Sequence, residues 1–156
     1  MDEISLFLRH AIELERESAR RYGELGEAMH TLGNTEVENF FWRMAKFSRM
    51  HLAEAVKRGG FRELSQLPPI DFQWPGGVSP EQFAWVGVDG FMGVDHALSL
   101  ALASERNGQM FYAGVAARSA DTLVRKMAAE FADEEAGHVA ELEKWIAQRN
   151  RAAHVG

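Results

Sequence analysis

The stretch "DEEAGHVAELEKW", residues 133–145, is the one on which the fold turns. Glu135 and His138 are three residues apart, and on a helix that spacing sets both on one face. The same face runs on through Val124, Met127, Phe131, Leu142 and Trp145, an apolar stripe at helical steps. An ionised carboxylate in such a stripe is costly unless something pairs with it. The pattern recurs upstream. "KFSRMHLAEAVKRG", residues 46–59, sets His51 in a stripe of Val37, Phe41, Met44, Ser48 and Ala55. "ELERESARRY", residues 13–22, places Glu15 seven residues before Tyr22, and "SERNGQMFY", residues 104–112, places Glu105 seven before Tyr112. Glu15 and Glu105 are 90 residues apart, as are Tyr22 and Tyr112, and His51 and His138 are 87 apart. Such a duplication predicts two helical hairpins facing each other. Carboxylates and imidazoles on facing helices are what a metal site in a four-helix bundle requires.

The stripes predict four long helices. Around Glu15 the inward face reads Leu8, Ala11, Ile12, Ser18, Ala19, Tyr22, Leu25 and Met29, with Glu15 its one charge. Around Glu105 it reads Phe91, Val94, Leu98, Ala101, Leu102, Tyr112 and Val115. The first helix is expected from Asp2 or Glu3 to Met29 or Leu32, closed by Gly33-Asn34. Thr35 as N-cap, with Glu38 completing a capping box, opens the second, which Gly59-Gly60 stops after Arg58. The third is expected over 90–118. The fourth is expected from Ser119 or Asp121 to Arg149, with "NRAAHVG" loose behind it. The stretch between helices two and three holds "LPPIDFQWPGG", residues 67–77, which no continuous helix accommodates; Ser79-Pro80 there reads as the start of a short helix. If helices two and three run parallel, the chain returns the length of a helix, roughly 36 Å for 24 residues. About 28 residues cover that easily at roughly 3.3 Å each. The expectation is an all-α four-helix bundle, one domain over 1–156, with a single long crossover at about 60–89. A crossover that passes the second hairpin to another subunit stays open.

Composition narrows the function. Apolar residues make up 46% of the chain and charged ones 26%, as in ordinary soluble domains. A net charge of −6 gives no basic footprint for nucleic acid. The absence of Cys removes disulfides and thiolate ligation. "MDEISLFLRH" has no apolar signal core, and no run approaches a membrane span, so a cytoplasmic protein is expected. No nucleophilic triad, phosphate loop or nucleotide fingerprint competes.

At these residues the chain resembles the rubrerythrin branch of the ferritin-like superfamily. That family carries Glu on helix one, Glu-x-x-His on helix two, Glu on helix three and Glu-x-x-His on helix four. Glu15, His51, Glu105 and the pair Glu135 and His138 match it, over roughly residues 3 to 150. The resemblance implies that Glu15 and His51 serve one metal, Glu105 and His138 another, and that Glu135 bridges them. One departure is Ser48, which stands where the family has a second bridging Glu, so one of the two metal positions is expected to be weakened. Another is the lack of Cys, so no rubredoxin-like electron-transfer site is expected. The resemblance implies iron, a ferritin-like fold, a homodimer and an oxidoreductase of peroxide, dioxygen or ferrous iron fed by an external electron donor. The apolar crossover residues Phe72, Trp74, Phe83 and Trp85 suit a subunit seam. The donor set also suits zinc or manganese. Two other readings stay open: a storage or sensing bundle with one firmly held metal and no turnover, and a metal-free structural bundle.

The remaining polar residues are assigned by position. Buried hydroxyls of Tyr22 and Tyr112 need partners, and inward carboxylates suit them, which places both beside the ligands. Glu13, Glu17, Glu24, Glu27, Glu130, Glu134 and Glu143 fall off the stripes and are expected in solvent. Glu54 and Glu141 are expected at the bundle edge. His10, His30, His96 and His154 have no counterpart in the repeat and are expected at the surface or the core edge.

Overall fold

A computed structural model describes residues 3–58 and 93–155. Among these residues the chain forms four helices and no strand: α1 (Glu3–Leu32), α2 (Thr35–Arg58), α3 (Val94–Arg118) and α4 (Thr122–Val155). Gly33 ends α1 at φ 74°, where a residue without Cβ carries no strain. Asn34 at once caps α2, its Oδ1 accepting from the Val37 N–H at 3.1 Å. Thr35 is therefore the first helical residue rather than the cap. Glu38 closes no capping box; its carboxylate accepts from Trp42 Nε1 at 3.1 Å and meets His30 at 3.2 Å. Asp121 caps α4 through the Leu123 and Val124 N–H groups. α4 runs to Val155, beyond the expected end at Arg149, because "NRAAHV" contains good helix formers and no breaker.

α1 packs along α2 and α3 along α4, giving two hairpins that share two apolar cores. One core holds the late part of α1 (Tyr22, Leu25, Met29), the early parts of α2 (Val37, Phe41, Met44) and α3 (Ala97, Leu98, Ala101), and Leu142 late in α4. The other holds early α1 (Phe7, Leu8, Ile12), late α2 (Ala55, Val56), Tyr112 late in α3, and early α4 (Val124, Met127, Phe131). This distribution makes α1 parallel to α4 and α2 parallel to α3. α2 therefore ends at one end of the bundle and α3 begins at the other. The expected crossover, its apolar residues and the stripe residue Phe91 lie outside the described residues. No described helix is long and apolar enough to cross a membrane. Between the two cores lies a layer of a different kind. It contains buried Glu15, Ser18, Ser48, Ser104, Glu105 and Glu135, with His51 and His138 beside them.

Candidate metal centre

Each helix supplies the polar layer from one turn of its inward face. α1 gives Glu15 and Ser18, α2 gives Ser48 and His51, α3 gives Ser104 and Glu105, and α4 gives Glu135 and His138. All five residues expected as ligands come together. Glu15, His51 and Glu135 offer donor atoms within 4.8 Å of one another, and so do Glu105, Glu135 and His138. Glu135 belongs to both groups, which puts its carboxylate between them. The two imidazoles stack at 6.0 Å with planes 18° apart, and Phe47 lies against His138 at 5.7 Å.

The distances within each group are informative. His138 Nδ1 faces Glu105 Oε2 at 3.5 Å, and among the described residues neither atom, both buried, has a hydrogen-bond partner. His51 Nδ1 faces Glu15 Oε1 at 3.7 Å. These separations are too long for good hydrogen bonds. They are close to the roughly 3–3.5 Å between two donors that each bind one ion at about 2.0–2.2 Å. The donor set therefore fits a cation, and the Glu105–His138 pair fits more closely than Glu15–His51.

Neighbours hold the carboxylates. Tyr22, fully buried, donates to Glu105 Oε1 at 2.6 Å, a short bond of the charge-assisted kind when the carboxylate is ionised. Tyr112 is buried among the rings of Phe7, Phe111 and Phe131. Ser48 Oγ donates to Ser18 Oγ at 3.1 Å, so two buried neutral hydroxyls pair with each other in the layer. Gly108 is one turn beyond Glu105, and a Cβ there would meet the Glu135 carboxylate at 3.5 Å.

Burial and partners set the protonation of the layer. Burial pushes the Glu15 carboxyl up, and the negative Glu105 adds to this, while His51 opposes it; the net direction is upward. Burial also pushes Glu105 up, but contacts with Glu135, His138 and Tyr22 outweigh it and hold Glu105 low. Burial alone would lower both histidines. Glu15, Glu134 and Glu54 raise His51 instead, and Glu105 raises His138. One carboxyl is thus reluctant to ionise and the other is already held ionised, so the two halves of the layer are unlike.

Glu134 is 41% exposed, in solvent as expected, and its Oε2 lies 3.0 Å from His51 Nε2. His10 is buried, edge-on to Phe111 at 5.7 Å. Arg9, a residue outside the expected stripe, is also buried. His30 and His96 are exposed as expected. Glu54 and Glu141 pair at the edge with Arg58 and Arg43.

No family model matches the chain, and a search of curated proteins finds no match. Among solved structures, an uncharacterized conserved protein from Magnetospirillum magnetotacticum MS-1, seen in a crystal structure at 2.00 Å resolution, is similar. The two are 40% identical with a TM-score of 0.72, over 91% of this chain and 92% of the other.

Proposed function

We propose, starting from the fact that this chain belongs to the same family as the Magnetospirillum conserved protein, that it is a ferritin-like, rubrerythrin-like metal protein whose layer of Glu and His side chains holds iron. The observation that carries this reading is the shared position of Glu135 in two Glu/His donor groups at the bundle centre. Glu105, Glu135 and His138 would hold one ion, and Glu15, His51 and Glu135 a second. Iron held there supplies electron exchange between its ferrous and ferric states, and the substrate would be peroxide, dioxygen or ferrous iron itself. An external donor would return electrons, and a homodimer is the assembly expected from the resemblance.

The chain's own residues define what the site does. Tyr22 orients Glu105 through a hydrogen bond. Apolar cores flank the layer on either side. Ser48 leaves the Glu15 and His51 half one carboxylate short, so the Glu105 and His138 half fills first and the other half binds more weakly. This inequality favours a second reading as well, a storage or sensing bundle with one firmly held metal.

Metal analysis of the purified protein, followed by Fe(II) titration, tests the reading. Natural protein should bind at least one equivalent, and Glu135→Ala with His138→Ala together should abolish it. Equal metal content in that double variant would refute the assignment. Oxidation of the ferrous protein by peroxide over repeated cycles separates an enzyme from a store.

A further inference from the structure

We propose that Gly108 and Ser18 are positioning residues of the metal layer. The missing side chain at Gly108 makes the room that Glu135 fills, and the Ser18 hydroxyl closes the same room in the other half. The pair of Ser18 and Ser48, not Ser48 alone, then sets how many ions the layer holds. This rests on the metal reading above and extends it to two residues outside the donor set.

The duplication points to these positions. The offset of 90 residues that relates Glu15 to Glu105 also relates Ser18 to Gly108, and the offset of 87 that relates His51 to His138 also relates Ser48 to Glu135. Each equivalent pair is in contact. On α3 and α4, a Cβ at Gly108 would lie 3.5 Å from Glu135 Oε2, 3.6 Å from its Cδ and 4.0 Å from its Cγ. A single methyl group would just touch the carboxylate, and a branched side chain would displace it. On α1 and α2, the Ser18 and Ser48 hydroxyls meet at 3.1 Å. All four residues are buried. Glycine is the poorest helix former after proline, so its place in the interior of α3 needs a local reason, and the Glu135 carboxylate against it is one. The two halves thus divide the same space differently: an acid against a bare backbone in one, two hydroxyls in the other. The side chain of Ser48→Glu would begin where the Ser48 hydroxyl now is, with the Ser18 oxygen 3.1 Å away. That is closer than a Cβ at Gly108 would come to any of those Glu135 atoms.

The test has two arms, and the first needs no metal. Gly108→Val is measured by urea denaturation with Glu135 in place and together with Glu135→Ala, because valine is stiff at χ1 and cannot turn aside. It should cost about tenfold or more in the folding equilibrium with Glu135 present and much less without it. Gly108→Ala should be no less stable than natural protein. If Gly108→Val fails to fold, recovery of folding on adding Glu135→Ala gives the same answer. The second arm is Co(II) titration of Ser18→Gly, Ser48→Glu and the two together. Ser18→Gly alone should leave the second equivalent as weak as in natural protein. Ser48→Glu alone should tighten it in part, and the double variant should tighten it about tenfold further. An equal cost of Gly108→Val with and without Glu135, or equal second affinities in Ser48→Glu and the double variant, overturns the proposal. Coupling between Gly108 and Glu135 in a set of proteins that all fail to bind Co(II) would sink the metal reading and leave the packing relation standing.

Discussion

Removing one oxygen at Tyr22 should cost more than a typical buried hydrogen bond. Tyr22 is fully buried, and its hydroxyl donates to Glu105 Oε1 at 2.6 Å. Phe at this position fills the same ring space and leaves almost no cavity, so the loss isolates the bond. A hydrogen bond to a charged group contributes about 1.5–3 kcal/mol, and Glu105 is held ionised below the usual carboxylate range. Tyr22→Phe should therefore destabilise the metal-free protein by roughly 2 kcal/mol at neutral pH. The pH dependence follows from the sign of the shift. A carboxyl whose folded pKa is depressed gives stability that is present above its unfolded value and lost as pH falls through the folded one. The difference between natural and variant protein should therefore shrink toward roughly 1 kcal/mol below the ordinary carboxylate range, where Glu105 is neutral. Urea denaturation of both proteins at neutral and acid pH measures this. A loss under about 0.5 kcal/mol at neutral pH, or a loss that does not depend on pH, would refute the picture of an ionised Glu105 held by Tyr22.

Further expectations can be measured on single variants. Ser48→Glu should raise Fe(II) stoichiometry toward two per chain and narrow the gap between the two affinities, read by titration; equal affinities in the natural protein would remove the asymmetry argument. Gly26→Ala places a Cβ 2.8 Å from the Trp42 ring and should destabilise by about 1 kcal/mol net of its helix-propensity gain. Gly137→Ala, where a Cβ meets nothing within 4 Å, should stabilise by roughly 0.5–1 kcal/mol; chemical denaturation reads both, and equal signs would argue against the packing at Trp42. In the metal-free protein, raised pKa values of His51 and His138 give stability that is full below the ordinary imidazole range and lost as pH rises through the folded values. Its thermal midpoint should therefore fall from mildly acidic to alkaline pH. Metal-loaded protein should show the reverse slope, because the ligating imidazoles must be neutral.

The candidate donor residues were legible in the sequence because each question concerned one helix at a time. Glu15, His51, Glu105, Glu135 and His138 occupy inward positions of their own stripes, and steps of three and four fix that without knowledge of any neighbour. The approach of Glu134 to His51 was not legible for the complementary reason. The position of Glu134 on α4 is off the stripe, and the approach depends on how α2 is set beside α4, which no single-helix periodicity contains. His10 escaped for another reason. Phe7, Leu8, Arg9, His10, Ala11 and Ile12 are all buried in succession, and a run covered on every side has no amphipathic period to read. Asn34 was missed as a cap because one residue serves two helices: Gly33 ends α1 in the left-handed region and Asn34 follows directly as the N-cap of α2.

The two-core arrangement explains why so polar a layer survives in a bundle of this size. Three buried carboxylates side by side repel one another and lose their hydration, so the layer by itself opposes folding. The apolar clusters above and below set the helix spacing independently of it, and they hold the layer's donor atoms apart at 3.5 and 3.7 Å instead of letting them collapse into hydrogen bonds. Burial raises the Glu15 carboxyl and carboxylate partners raise both histidines, so these three shifts all favour the form with less negative charge. A divalent cation would do the same work with a charge fixed in place, and its binding would expel the protons those groups hold. Proton release on metal binding, measured in weakly buffered solution, is thus the direct signature of a layer built to exchange protons for cations. It should be larger for the Glu15 and His51 half, where the carboxyl is raised, than for the half whose Glu105 is already ionised.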